Sequence, residues 1–255
     1  MSLESPLKEL LLRAWLPASL VVIWYLVGWN EWVNPLLLPS LSDTVLSGVG
    51  LVTSGEIFVD IRYTAVRFFM GYGLAVIIGI PIGMFVGTHA SFHKSLQFLL
   101  EFGRSTPVTA FFPLFLLIFG IDDLSKIAMV AVASVFVVIL NSAYGVYYAS
   151  HTRQRVGDLF RISRLQRFAR ITFWDALPQT VVGLRTALSL ALIVVVVSEM
   201  LIGTEHGLGQ RIFDAYTVSN SPELYALLLI IGTIGYLLNR FFLAFERRIV
   251  HWTGH

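Results

Sequence analysis

HTRQRVGDLFRISRLQRFARITFWDALP, residues 151–178, is the one long polar run in the chain, and it lies between two strongly apolar segments. It carries six arginines, Arg153, Arg155, Arg161, Arg164, Arg167 and Arg170, against two acids, Asp158 and Asp175. Leu159, Ile162, Leu165, Phe168 and Ile171 recur every third residue among them. That spacing is close enough to the helical period to predict an amphipathic helix of about two or three turns. Between apolar segments, a basic helix of this kind has two readings. It is a topology signal lying on anionic headgroups, or it is a docking element for a cytoplasmic protein.

The surroundings decide that it is a loop between membrane spans. Of 255 residues, 56% are hydrophobic and only 13% charged, with mean hydropathy +0.76. A soluble domain carries about a quarter charged residues, so the chain reads as an integral membrane protein. The net charge of +2 matters less than where the charges lie. The absence of cysteine excludes disulfide frameworks, thiol chemistry and cysteine metal sites. The first apolar run, Ala14 to Asn30, ends in Trp-Asn-Glu-Trp and not at a small-residue cleavage site, so it is expected to stay as a span.

A membrane helix needs about 20 mostly apolar residues, and six segments qualify: 14–30, 64–88, 95–119, 125–149, 176–203 and 223–245. Between the first two, Pro35 and Pro39 predict a turn followed by a short interfacial helix. The short loop 120–126 makes spans three and four a helical hairpin, and Leu208 to Tyr216 reads as a short helix at the membrane surface. Lysines and arginines concentrate at the amino terminus (Lys8, Arg13), in the arginine loop and in the tail (Arg247, Arg248). Six spans put these on one side, which is cytoplasmic by the positive-inside rule. The expected location is therefore a bacterial inner membrane, multi-pass, with both termini and the arginine loop in the cytoplasm.

Within the spans, Gly79, Gly83 and Gly87 form a small-residue stripe suited to close helix packing. Pro81 and Pro113 are expected to kink or break their helices, and span three is expected to loosen at Ser105-Thr106-Pro107. Non-helical backbone at that depth is tolerated only where protein or a watery cavity covers it. Glu101 and Arg104 share a helical face and can pair, either as a structural pin or beside a pathway. Glu199, near the outer end of span five, is expected to be hydrated and structural, and Arg185 to snorkel to the cytoplasm.

No G-x-x-x-x-G-K-[ST], H-E-x-x-H or G-x-S-x-G occurs, and the six histidines lie in loops or tail. The chain thus offers no nucleotide cradle, no metal site and no catalytic constellation. A basic loop fixed within six spans has little room to track a duplex, so no nucleic-acid partner is expected.

Spans three to five resemble the permease subunits of binding-protein-dependent ABC importers, in the group that carries nitrate, sulfonates, taurine or bicarbonate. Arg104-Ser-Thr-Pro107-Val-Thr-Ala110-Phe-Phe-Pro113-Leu114, with Phe119-Gly120-Ile121 and Ser125-Lys126, is similar to that family's R-x-x-P-x-x-A-x-x-P-L…F-G-x-G…S-K pattern. Gly157 to Pro178, with Ala176-Leu177-Pro178 and Gly183-Leu184-Arg185, resembles its EAA-type loop and L-P-x-x-x-x-G-L-R continuation. Glu199 followed by Gly207-Leu208-Gly209 and Ile212 looks like its E…G-L-G…I segment. The letters depart in places: Arg161 stands where the EAA loop has glycine, Trp174 where it has proline, and Gly120-Ile121-Asp122 replaces Gly-x-Gly.

The resemblance implies an all-α polytopic fold of six transmembrane helices. Residues 1–63 would hold the amino-terminal tail, first span and extracytoplasmic linker, and 64–250 the importer core. A coupling helix over 158–172 would seat in a groove of the ATPase through Asp158, Leu159, Ile162, Ser163, Arg164 and Leu165. Implied partners are a second copy of the chain, two ATPase subunits and an extracytoplasmic solute-binding protein within the bilayer system. ATP and Mg would be held by the ATPase, leaving no cofactor and no enzyme activity on this chain. The substrate path would run past Glu101, Arg104, Pro107, Ala110 and Phe111. Arg104 suits an anion, whereas Phe102, Phe111 and Phe112 equally suit a planar organic solute such as a thiamine precursor. A self-sufficient secondary carrier would want repeated halves and coupling-ion carboxylates, and no internal repeat is evident here.

The topology is testable directly. Reporter fusions at Ser47, His89, Asp123, Arg161 and Ser219 are expected to read out, in, out, in, out, and a cytoplasmic signal at Ser219 would refute the six-span scheme.

Overall fold

The computed structural model describes residues 6–89, 98, 101–103, 105–149, 153, 159–160 and 162–253. Among these residues there is helix and no strand. Helix α1 spans Pro6–Trp29 and α2 spans Leu41–Ser54. The short helix expected after the prolines is α2: the Ser40 side chain accepts from the Asp43 amide at 3.0 Å, and Gly55, at φ 81°, ends it in the left-handed region that glycine favours. Helix α3 (Glu56–Thr88) begins immediately after that cap, upstream of the expected residue 64, so Asp60 and Arg62 are helical and not part of a loop.

Span three is broken, as its prolines predict. Pro107 is extended, a 3-10 turn covers Val108–Phe111, and α4 follows over Phe112–Phe119. Pro113 opens α4 where its missing N–H costs nothing, whereas α3 continues through Pro81. Helix α5 runs over Asp123–Tyr147, α6 over Arg164–Ile202, α7 over Leu208–Thr217 and α8 over Ser221–Ile249. Among the described residues, four helices, α3, α5, α6 and α8, are long and apolar enough to cross a membrane, and Ala14–Trp29 and Val108–Phe119 are shorter apolar helices. Each overlaps one of the six apolar segments of the sequence, the third only over Val108–Phe119.

The arginine segment corrects one expectation. Residues 158–172 do not form one helix: Leu159 is helical, Phe160 lies in a turn, and Ile162 and Ser163 are non-helical. A new helix starts at Arg164, passes through a π turn at Phe168–Thr172 and runs on as span five. Ser163 is the cause. Its side chain accepts from the Gln166 amide while the Gln166 side chain accepts from the Ser163 amide, a reciprocal capping box that fixes a helix start at that point. Asp158 and Arg161 lie outside the described residues.

The chain forms two compact units. The first comprises Met1–Phe58 and Arg211–Ile231. It is tied by polar contacts to the turn after α1: Trp24 donates to the Pro39 carbonyl at 2.9 Å, Tyr225 to that of Leu37 at 2.8 Å, and Ser221 to that of Leu36. Arg211 adds ion pairs of 3.0 Å with both Glu56 and Glu223.

The second unit, Val59–Gln210 and Gly232–His255, holds the core. Phe68, Met129, Val130, Ala133, Ala191 and Val195 are buried there, drawn from α3, α5 and α6. Missing side chains set the helix spacing. A Cβ at Gly79 would sit 2.8 Å from the Val138 side chain, one at Gly83 2.5 Å from the Ile139 carbonyl, and one at Gly87 2.6 Å from that of Ala143. Gly145 meets the Ala176 carbonyl at 2.6 Å in the same sense, which brings α5 against α6. The glycine stripe is thus a backbone-to-backbone seam, as small residues make possible in membrane helices.

Gly83→Ala is therefore expected to lower the thermal midpoint of the solubilised protein by an amount corresponding to about 1–3 kcal/mol of overpacking. Gly73→Ala, with nothing within 4 Å of the added carbon, is the control and is expected to be near neutral. Equal midpoints for the two variants would refute the seam.

Candidate functional site

The second unit presents its candidate chemistry at the two ends of α3, α5 and α6. At one end lies the arginine segment. Leu159 is 81% exposed, Phe160 77% and Leu165 78%, an uncovered apolar group on a segment that carries Arg164 and Arg167. Ser163 and Arg164 are also exposed, whereas Ile162 is half-buried. Phe168 turns inward and packs against Met84, Val146 and Ala176, pinning the start of α6 to the ends of α3 and α5. Arg153 pairs with Asp175 at 2.7 Å, and Trp174 meets Trp252 edge to face at 5.5 Å. The amphipathic stripe expected from sequence is therefore split: Leu159 and Leu165 point away from the chain, while Ile162, Phe168 and Ile171 are partly covered by it. Phe160 belongs to the exposed group and was absent from the period-three pattern.

The broken span supplies the second candidate. Pro107, Ala110 and Phe111 share one tight turn, closed by the Ala110 amide donating to the Pro107 carbonyl at 2.9 Å. All three are exposed, and Glu101, one helical stretch earlier, is half-buried. Gly103 between them lets Phe136 of α5 lie where a Cβ would stand, its nearest ring atom 2.6 Å away. Arg104 lies outside the described residues. The structure thus gathers Pro107, Ala110 and Phe111 on one exposed turn among the described residues.

At the other end is a buried ion network that sequence reasoning did not assemble. Arg67 of α3 is 2% exposed and Glu199 of α6 fully buried, and the two pair at 2.6 Å. Arg67 also reaches Asp123 at the start of α5 through Nε (2.8 Å) and Nη2 (2.7 Å), the Thr204 hydroxyl (2.8 Å) and the His206 carbonyl (2.8 Å). Glu199 accepts from the Thr64 hydroxyl at 2.9 Å and from the Gly209 amide at 2.9 Å. The Leu208 amide donates to Thr64 and the Gly207 amide to Asp60, both at 2.9 Å. Lys126, 1% exposed, donates to the Ile121 carbonyl at 2.8 Å nearby.

Glu199 is therefore sealed in protein, not hydrated as its position suggested, although the structural role expected for it stands. The available signal was the pairing requirement: an arginine and a glutamate, each inside an apolar helix, both need partners. Reading Glu199 by its distance from the nearest loop hid the fact that Arg67 belongs to the same end of the bundle.

Residues 79–251 match the family described as binding-protein-dependent transport system inner membrane component. The chain belongs to that family. Among its relatives, SsuC of Bacillus subtilis, named for aliphatic sulfonates transport, is 32% identical over 93% of this chain and 86% of its own. The nitrate import permease protein NrtB of Synechocystis is 27% identical over 91% and 86%. The taurine transport system permease protein TauC of Escherichia coli is 27% identical over 93% and 88%. In three dimensions, a chain of the inward-facing MetNI methionine ABC transporter superposes with a TM-score of 0.66 at 16% identity, covering 74% of this chain and 94% of that one. A chain from an amino acid ABC transporter superposes with a TM-score of 0.58 at 15% identity, over 80% and 97%. These likenesses show the fold. The chain is a multi-pass membrane permease of the ABC importer type.

Ser163→Ala removes half of the capping box and is expected to cost about 1 kcal/mol of helix-start stability. Amide exchange at Arg164–Arg167 should quicken by about fivefold in consequence. Unchanged exchange there would mean that the segment is held by Phe168 alone.

Proposed function

We propose that the chain forms the membrane path of an ATP-driven importer for a small anion of the sulfonate, taurine or nitrate class. The names of the relatives support that substrate class. The observation that carries the mechanism is the uncovered apolar group Leu159, Phe160 and Leu165 on the arginine segment. Three large apolar side chains held out from a chain by a capped helix start are costly in water, about 1.5–3 kcal/mol for each that a partner could bury. An ATPase groove that takes them, with acidic groups meeting Arg164 and Arg167, gains that energy and fixes a register. In this reading 158–172 is the coupling element, and Asp158, Ile162 and Ser163 shape it.

Two copies of the chain, two ATPase subunits carrying ATP and Mg, and an extracytoplasmic solute-binding protein complete the assembly. Both termini and the arginine segment face the cytoplasm. Since this chain has no nucleotide cradle, force enters through the coupling segment, and transport is rigid-body rocking of one permease against the other around a central path. Glu101, Arg104, Pro107, Ala110 and Phe111 lie beside that path. There the break at Pro107 gives exposed backbone a watery cavity to face.

The test separates apolar docking from charge. Leu159→Ala with Leu165→Ala is expected to insert normally yet fail to retain the ATPase. Arg164→Ala should weaken retention by about 0–1 kcal/mol only, and more visibly at high salt. Full retention and uptake by the apolar double variant would reduce the segment to a topology signal.

A further inference from the structure

The buried network at the far end does more than neutralise charge. Helix α7 begins at Leu208, and the amides of Gly207, Leu208 and Gly209 are the donors that a helix start leaves without intrahelical acceptors. None of the three is satisfied by a local capping side chain. Their acceptors are Asp60 and Thr64 on α3 and Glu199 on α6, each at 2.9 Å. The start of one helix is thus capped by side chains from two others. Arg67 closes the arrangement by holding Glu199, Asp123 and the 204–206 turn at once.

Glycine makes the cap possible. Gly207 sits at φ 150°, and a Cβ there would lie 2.6 Å from the Glu199 carboxyl carbon and 2.8 Å from Arg67 Nη1. A Cβ at Gly209 would lie 2.1 Å from the Val196 carbonyl. The turn is therefore pressed onto the ion pair without room for slack.

We propose that Arg67 and Glu199 are positioning residues for transport: they lock the 203–209 turn to α3, α5 and α6, so that the end remote from the arginine segment moves as one body with it. This rests on the importer reading for its purpose, though not for its geometry. At about 1.5 Å rise per residue, Arg67 lies roughly 25 Å along α3 from Met84, and Glu199 roughly 45 Å along α6 from Phe168. A push delivered at Phe168 reaches the far end only if that end cannot bend on its own. A turn held by water would bend. A turn whose amides are held by the buried Asp60, Thr64 and Glu199 does not, because each of those hydrogen bonds, once broken, strands a donor or a charge away from water.

The experiment reads rigidity and coupling separately. The chain has no cysteine, so Glu205→Cys and Tyr148→Cys, both exposed, accept spin labels at the turn and at the far end of α5. Labelled copies are diluted with unlabelled ones in nanodiscs, without ATPase or solute. The background is expected to give one narrow distance. Glu199→Gln, which keeps shape but removes charge, should broaden it at least about twofold, and Thr64→Val, which removes only the hydroxyl bridge, should broaden it less.

In the assembled importer, Glu199→Gln should retain ATPase binding and basal hydrolysis but lose about tenfold of the stimulation by its solute-binding protein. A narrow distance in both variants overturns the lock. Broadening with full stimulation overturns the positioning role while leaving the geometry intact. If Glu199→Gln does not insert, Thr64→Val decides both arms. Failure to assemble with any ATPase would count against the importer reading and leave the distance measurement standing on its own.

Discussion

Everything in the core depends on how closely α3, α5 and α6 approach. Lipid tails are as apolar as the side chains they touch, so helices in a bilayer associate through packing and not through escape from water. Here the packing is bought with absent side chains: Gly79, Gly83 and Gly87 admit the backbone of α5, and Gly145 admits that of α6. With the three helices at that spacing, Arg67, Asp123 and Glu199 fall within hydrogen-bonding reach at one end, and Phe168 meets Met84 and Val146 at the other. Wider spacing would leave the arginine and the glutamate buried and unpaired.

The two ends then differ in character because their partners differ. The ion network is closed within the chain, and its donors and acceptors are matched by side chains and backbone of the same unit. The arginine end is open. Its helix start is capped by Ser163 and Gln166, yet Leu159, Phe160 and Leu165 remain uncovered. A chain that satisfies one end so fully and leaves the other bare is suited to transmit a displacement from a partner, not to generate one.

Much of this was legible in the sequence, and the limits were physical. Apolar length located the spans, since only a run of that composition can cross hydrocarbon, and the four-residue glycine spacing gave the seam. Pro107 announced the break in span three because it has neither an N–H nor freedom in φ. What stayed hidden was three-dimensional. The period of Leu159, Ile162 and Leu165 suggested one helix, but the Ser163–Gln166 box, a shorter-range signal, starts a new one. Thr64 and Arg67 both lie more than a hundred residues from Glu199, and nothing local in either segment reveals that the two meet. The resemblance noted at Glu199 and Gly207-Leu208-Gly209 marked the place without giving its chemistry.

The account turns on whether the bare end receives the ATPase. A photo-reactive amino acid placed at Leu165, in cells expressing the whole importer, tests this without disturbing the fold, since that side chain is 78% exposed. The account predicts a cross-link to the ATPase subunit that is lost when the same residue is placed at Leu117, 84% exposed on α4. Cross-links from Leu165 to lipid or to its own chain alone would contradict it.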